Sequence, residues 1–292
     1  MKFTLPLIGL FLILSLTSQS QDLELAGIRY FNYPSSSTRP HNDQYSIQET
    51  GGFFNLPTRL KNQKTILING IAYGLVHVDY QQNSLLPEAG KINLHTASYN
   101  FSIIQKLPKK WIIMASFVPT LASNLKGSLS TDDFVIQTMA FALKEVGPNL
   151  KLGGGLAYTT RLGEPLVVPV VPLFLKSKKH RINAILPIKF MYAYRFKPNL
   201  DIGFKAVVNG GNFNITDISY HDIEINKFHY TRANLGPIIH FRPRKLITLE
   251  LTGGISTGRN SRLLDLNDQT FTNSSTTAAF ISVGFIIKPS LD

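Results

Sequence analysis

Basic side chains that alternate with apolar ones are the residues of this sequence best suited to chemistry. Between Ile188 and Val207, Lys189, Arg195 and Lys205 share one face of an extended chain with Asp201, because side chains alternate along a strand. A row of cations that faces water inside a pore favours anions or carboxylates. We therefore expect an inner lining made by Lys151, Arg161, Lys189, Arg195, Asp201, Lys205, Arg232, Asn234, Arg242 and Glu250.

The sequence gives weaker evidence for a catalytic or metal-binding site than for a basic inner face. His95 lies near Ser98 and Asn100, but a Ser-His-Asn arrangement would need partners from neighbouring strands. A second group could bind a divalent cation, although its spacing fits no tight motif and a solvated loop explains it better. We predict no catalytic residues, no metal site and no cofactor. The second group is His221, Asp222, Glu224 and His229.

The elements that must position the basic face are strands. Strand signals recur along the whole chain between clusters of Gly, Pro, Asn, Asp and Lys, and no segment has helical periodicity. Many are longer than the ~5–6 residues of soluble strands and suit the ~9–11 needed to cross a bilayer. We predict fourteen strands, at 24–34, 43–57, 64–80, 92–106, 111–124, 134–146, 149–161, 165–176, 181–187, 188–196, 199–213, 227–242, 245–258 and 272–288.

The strand count depends on 181–196. Reading it as one strand gives thirteen, whereas a split at Pro187 restores an even number, and twelve is the alternative. Within 188–196, Phe190, Tyr192 and Tyr194 form an aromatic face that backs the charged one. Such a pattern fits lipid outside and water inside. The sequence therefore predicts a closed antiparallel transmembrane β-barrel, all-β in class, over residues 21–292.

The connections between these strands sort by length, as outer-membrane barrels require. With the N-terminus in the periplasm, one set consists of tight turns, such as 60–63, 108–110 and 197–198. The other set is longer and polar, and should face the cell exterior: 35–42, 81–90, 125–133, 214–226 and 259–270.

The segment "PLVVPVVPLFLK", residues 165–176, departs from the alternation. Both of its faces are apolar and three prolines interrupt it. Because proline cannot donate to the ladder, we expect a bulged or locally unpaired segment. It is either a distorted strand or a seam where the wall could open laterally.

The N-terminus and the composition indicate the cellular compartment and the partners of the protein. Lys2, the apolar run 3–16 and Ser18-Gln19-Ser20 predict a signal peptide over residues 1–20. The chain has no cysteine and a net charge of +12, which becomes 29 − 18 = +11 without Lys2. Its basic residues form no single tract, and export argues against nucleic acid as a partner. We expect outer-membrane lipid, lipopolysaccharide and the barrel-assembly machinery as partners.

A run of about fifty residues carries a family resemblance. "PVVPLFLKSKKHRINAILPIKFMYAYRFKPNLDIGFKAVVNGGNF" is similar to an uncharacterised family of outer-membrane β-barrels from Gram-negative bacteria, known only as a domain of unknown function. The resemblance implies an outer-membrane barrel and carries no activity or substrate. One departure is the chain end, which runs past Phe285 to Asp292 instead of stopping on an aromatic residue.

The function expected from these features is that of a passive channel or transporter for small, preferably anionic, solutes. A barrel of this size leaves a cavity unless loops plug it, so an open pore and a plugged lumen both remain. In the plugged case the inward cations pair with acids. The alternatives are a structural or adhesive surface barrel and, less favoured, a barrel enzyme that acts on lipid.

Overall fold

A computed structural model describes residues 23–39, 44–80, 90–220, 223–267 and 269–288. The predicted signal peptide and the last four residues lie outside these ranges. Within these ranges the regular elements are strands, apart from two 3-10 turns at Pro108–Lys110 and Thr131–Asp133. No helix in the described part is long and apolar enough to span a membrane.

Most strands lie within a few residues of their predicted bounds. The strands are β1 (Ala26–Arg39), β2 (Gln44–Arg59), β3 (Thr65–Tyr80), β4 (Lys91–Leu107), β5 (Trp111–Ser123), β6 (Phe134–Glu145), β7 (Leu150–Thr159), β8 (Leu166–Lys176), β9 (His180–Leu186), β10 (Lys189–Lys197), β11 (Leu200–Asn214), β12 (Ser219–Tyr220), β13 (Ile223–Arg244), β14 (Ile247–Asp265), β15 (Thr270–Ser275) and β16 (Ala278–Ile287). Of these, β1, β13 and β14 extend further than predicted.

The sheet closes on itself. Each long strand pairs antiparallel with its neighbours in the chain, and β16 pairs with both β14 and β1. β12 is a short strand in a connection, and β15 and β16 together make the last wall strand. The described residues thus form a fourteen-stranded barrel, which confirms the predicted fold and count.

The split at Pro187 is confirmed. Leu186 ends β9, a turn follows at Pro187 and Ile188, and β10 returns antiparallel with Ile185 opposite Lys189. The Leu186-Pro187 bond is cis. An even number of strands lets the chain begin and end on the same side of the membrane.

Apolar side chains cover the outside. On β14, Leu249, Leu251 and Ile255 are each more than 40% exposed, while Glu250 and Thr252 between them are buried. A hydrocarbon environment satisfies the exposed set, because apolar surface in water would be unfavourable. Trp111 lies on the same outer face near one rim, with the Lys144 ammonium 5.0 Å from its ring centre.

The expected contrast between short and long connections holds only in part. One side of the barrel has tight turns throughout. On the other side the turn at Pro187 and Ile188 is also tight, and β13 and β14 extend through 223–226 and 259–265, which the sequence assigned to loops. These polar strand ends stay paired because one face packs inside the barrel, as Ile225 and Leu263 do.

The proline-rich segment forms β8 and keeps one register with β7, so it has no bulge on that side. Its pairing lapses between Leu152–Leu173 and Gly155–Val170, as the locally unpaired alternative predicts. Towards β9, pairing begins only at Val171 and leaves 166–170 without a strand neighbour. The reason is the short β9–β10 hairpin, which ends below the top of β8.

Candidate functional site: the barrel interior

The ten candidate residues all lie towards the lumen. Directly opposed residues share a face, and the register sets Arg195 opposite Asp201, and Asp201 and Glu250 opposite His240, all on the inner side. Arg161 faces the interior from the connection between β7 and β8 and lines a lumenal cavity. The others are Lys151, Lys189, Lys205, Arg232, Asn234 and Arg242.

Glu250 is the centre of one charged cluster. Its carboxylate accepts from Lys205 at 3.0 Å, contacts Arg29 at 3.5 Å and lies 3.0 Å from the His240 ring nitrogen. The side chains of Glu250 and His240 are almost completely buried. A buried carboxylate needs such partners, because an uncompensated charge away from water is strongly unfavourable.

Asp201 carries a second cluster on the same wall. Arg242 donates two hydrogen bonds to its carboxylate, at 2.5 and 2.7 Å, and Arg195 lies 3.7 Å away. The fork of the guanidinium matches the two carboxylate oxygens, so this contact fixes geometry as well as charge. At the rim, Lys151 pairs with Glu145 at 3.1 Å.

A third cluster crosses the lumen from β2 to β13. Glu49 accepts from Arg232 and, at 3.2 Å, from the Tyr230 hydroxyl. The Arg232 guanidinium lies 4.0 Å from the ring centre of Tyr33, whose hydroxyl accepts from Asn234 at 2.7 Å. Since β1, β16 and β14 separate β2 from β13 in the sheet, these contacts hold together parts of the wall that are not neighbours.

Five of the seven cations that the sequence predicts to face inward therefore have a carboxylate partner. Among the described residues, Arg161 and Lys189 have no ion pair. The positive field is partly offset, because Glu49 and Glu145 join Asp201 and Glu250 as inward acids, whereas Arg29 and Arg259 add inward positive charge.

Two apolar clusters fill much of the interior. The upper cluster, towards the predicted exterior, joins residues of opposite walls and includes Ile215 and Ile218 from the β11–β12 connection. This connection is held in place by Asn124, which donates to the Thr216 carbonyl at 2.7 Å. The lower cluster, nearer the opposite rim, is centred on Ile112, Phe141, Leu143, Ala157 and Val170.

A cavity of about 380 Å³ lies inside the barrel. Its lining includes the aromatic rings of Phe31, Phe53 and Tyr230. It also includes the charged groups of Glu49 and Arg161. Such a mixture suits a small molecule with an apolar body and a polar group.

A joint between wall strands lies outside the membrane-spanning part. Asp133, in the turn before β6, accepts from the Ser130 amide at 2.7 Å and from the Asn214 side chain at 3.1 Å. Burial raises the pKa of Asp133, but the hydrogen bonds from Ser130, Ser123 and Asn214 outweigh it and hold the pKa below its ordinary value. The ionised form thus ties β6 to the end of β11.

Among the residues that the structure describes, neither histidine grouping assembles. His95 hydrogen-bonds the Tyr73 hydroxyl at 2.7 Å on the outer face. Glu224 is exposed and His229 buried, while His221 and Asp222 lie outside the described residues. In the described part, no three His, Asp or Glu side chains come together as metal ligands.

Sequence reasoning missed Arg29, Tyr33, Glu49 and Tyr230. A signal existed for Glu49, since it is a lone acid on the same face as Gly51 and Phe53. Its partner on β13 could not be found from the sequence, because cross-lumen contacts follow no local spacing.

A family profile covers residues 17–288, nearly the whole chain. The chain belongs to the family DUF6268, a domain of unknown function. No curated protein matches this DUF6268 member. The resemblance to an uncharacterised outer-membrane barrel family is thereby confirmed.

Solved structures similar to this DUF6268 chain include an outer membrane channel, an autotransporter translocator domain and a toluene transporter. An outer membrane channel from Pseudomonas putida F1 is 11% identical over 93% of this chain and 98% of that chain, with a TM-score of 0.45. The translocator domain of the autotransporter NalP from Neisseria meningitidis is 10% identical, over 91% and 89%, with a TM-score of 0.39. The Pseudomonas putida toluene transporter TodX is 8% identical, over 94% and 90%, with a TM-score of 0.36. None reaches a TM-score of 0.5, so the barrel assignment rests on the strand pairing described above.

Proposed function

We propose that this protein is a channel for small solutes in the outer membrane of a Gram-negative bacterium, closed towards the exterior in the conformation described. The observation that carries the proposal is the lumenal cavity of about 380 Å³, lined by both aromatic and charged groups. A barrel with a purely structural role has no need of such a cavity.

The apolar upper cluster favours a gated channel and not a permanently open pore. The upper cluster joins opposite walls, and Ile215 and Ile218 enter it from a connection. Ions meet an apolar constriction there, which blocks flow by excluding water. We therefore expect small, infrequent conductance from the unmodified protein in planar bilayers. Phe213→Ala, which removes apolar bulk from the upper cluster, should raise the conductance. Leu143→Ala makes a similar truncation in the lower cluster and, as the control, should leave the conductance unchanged.

The preference for anions rests on Arg161, which faces the cavity and has no ion pair among the described residues. At ~0.1 M salt the Debye length is ~10 Å, so one cation in a narrow passage influences ion choice. In a KCl gradient the reversal potential should lie towards that of chloride, and Arg161→Gln should move it towards zero. Arg244→Gln removes the same charge at the exposed end of β13, away from the cavity, and should leave the reversal potential unchanged.

The bilayer recordings also decide between functions. Absence of conductance in both the unmodified protein and Phe213→Ala, together with no solute uptake by cells that carry the protein, would overturn the channel and favour a structural or adhesive barrel. Cation selectivity would overturn the role of Arg161 alone.

A further inference from the structure

The barrel wall has a gap above the β9–β10 hairpin. The hairpin's last pairs are Leu186 with Val171 on β8 and Lys189 with Val207 on β11. Ile188 still accepts from the Val208 amide at 2.9 Å, and the next bond along that edge of β11 is at Asn214. Six residues at ~3.3 Å each make this gap roughly 20 Å tall.

The gap is closed at its top. Asn214, at the end of β11, pairs with Ser123 at the end of β5, and its carbonyl accepts from the Asn124 amide at 3.2 Å. Strands β6 to β10 lie between β5 and β11 in the sheet, so this contact bridges across all five. The result is a window in the wall, bounded by β8, β11, the hairpin and the bridge.

The connection 160–165 between β7 and β8 covers this window and contacts the outer face of β11 and β13, on which Gly210 and Thr231 oppose each other. The Arg161 carbonyl lies so close to Gly210 that a Cβ there would be 2.4 Å from it, and it accepts from the Thr231 hydroxyl at 3.4 Å. Glu164 and Arg262 form an ion pair at 3.3 Å. The contacts with Thr231 and Arg262 are long or solvent-exposed, and such pairs contribute little to stability. The buried His229 ring adds one hydrogen bond with the Gly163 backbone. The window is thus held shut far more weakly than a strand pair would hold it.

A cavity lies on each side of the connection. The lumenal cavity of about 380 Å³ touches Thr160 and Arg161. An outer cleft of about 420 Å³ touches Pro165 at the other end of the connection, with Phe134, Tyr158 and Lys227 around it. Both spaces have the size of small-molecule sites and both combine aromatic rings with a cation.

We propose that the connection 160–165 closes a lateral port through which small aromatic or apolar acids pass between the outer surface of the membrane and the lumenal cavity. The port deepens the proposed channel function and rests on it. It gives a solute a path that avoids the upper cluster.

The polar groups around the gap indicate at which depth of the membrane the gap lies. An unpaired strand edge in hydrocarbon costs several kcal/mol for each unsatisfied backbone group. The open edge of β11 carries Asn209, Asn212 and Asn214, and the connection carries Glu164. These groups fit the headgroup level, which is where molecules with an apolar body and an anionic group collect.

A reversible lock tests the port. An ideal Cβ at Gly163 lies 3.5 Å from the Thr231 Cβ, within the ~3.5–4.5 Å of disulfides. The chain has no cysteine, so Gly163→Cys/Thr231→Cys adds a single pair. The probe is anilinonaphthalene sulfonate, an aromatic anion, and its uptake by cells is followed by fluorescence. Uptake should exceed that of cells without the protein, fall to their level in the oxidised variant, and return on reduction.

Backbone strain is separated from locking by comparing the two redox states of one variant. Gly163 has a φ of +97°, which disfavours any side chain, and the strain is the same before and after reduction. A second route avoids this position. Glu164→Arg should raise probe uptake by repelling Arg262, and Glu164→Arg/Arg262→Glu should restore the original rate. Glu224→Arg, an equal charge change at an exposed site, should leave uptake unchanged.

The outcomes separate the port from the channel. Equal probe uptake in the locked and reduced variants would overturn the port and leave an axial channel standing. So would bilayer conductance without any probe uptake by the unmodified protein. Absence of both conductance and probe uptake would overturn the channel, and the port with it.

Discussion

The two sides of the barrel are built differently. On the tall side, β1 to β5 and β11 to β16, strands such as β13 reach 22 residues. On the low side, β6 to β10, β9 has only 7. The tall side holds the upper cluster and the Glu49–Arg232 contact across the lumen, whereas above the β9–β10 hairpin a connection takes the place of wall.

The difference shows how a barrel can be closed along its axis and weak in one flank. Long strands carry inward residues above the membrane, and these residues pack on one another and on the β11–β12 connection. Short strands cannot contribute at that height. The predictions below compare the tall side, the low side and the joint between them.

The largest expected effect is on the tall side, at the cross-lumen contact. Glu49→Ala leaves the Arg232 guanidinium buried without a carboxylate, so we expect the free energy of unfolding to fall by ~3–5 kcal/mol. Urea unfolding in lipid vesicles measures this. Glu49→Gln keeps an acceptor for Tyr230 and should cost less. Equal, small losses would mean that the two walls are not held together here.

The next comparison sets one apolar cluster against the other. Leu94 in the upper cluster and Leu143 in the lower are both fully buried. Leu→Ala at either site should lower the free energy of unfolding by ~2–5 kcal/mol, because the cavity left behind collapses only partly. A cost at Leu143 far below that at Leu94 would show that the low side is loosely packed throughout, not only above its hairpin.

The joint between the sides should respond to acid. Because the folded state lowers the pKa of Asp133 below its ordinary 3.8, its contribution is fully present above that value and is lost as pH falls through the folded pKa. The unmodified protein should therefore lose more stability on acidification below about pH 4 than Asp133→Asn does. At neutral pH the substitution should cost about 1–2 kcal/mol. Parallel pH profiles would contradict this assignment.

The smallest effect is expected at the rim of the low side. Lys151 and Glu145 form a partly exposed pair, and such pairs contribute ~0–1 kcal/mol. Glu145→Ala should change the free energy of unfolding by less than about 1 kcal/mol, and less again at high salt. A loss as large as that of Glu49→Ala would mean that the position of a pair, inside or at the rim, does not decide its contribution.

Much of this architecture was open to prediction from local patterns. The fourteen strands, the break at Pro187 and the outward aromatic face of β10 follow from a period of two and from turn residues, which depend on neighbours in the chain. The inward orientation of Lys205 and Glu250 has the same origin. Strand ends above the membrane, as in β13 and β14, were predicted too short because polar residues there resemble loops.

The sequence by itself determined a lipid-facing barrel with a basic inner face, because alternation is a local property of strands. Only the tertiary structure decided that Arg232 meets Glu49 across the lumen, that Ile215 and Ile218 fill its upper end, and that β5 meets β11 above a low flank. These contacts join residues far apart in the chain. Their distances depend on barrel closure and on the relative heights of separate strands, and no local spacing encodes either.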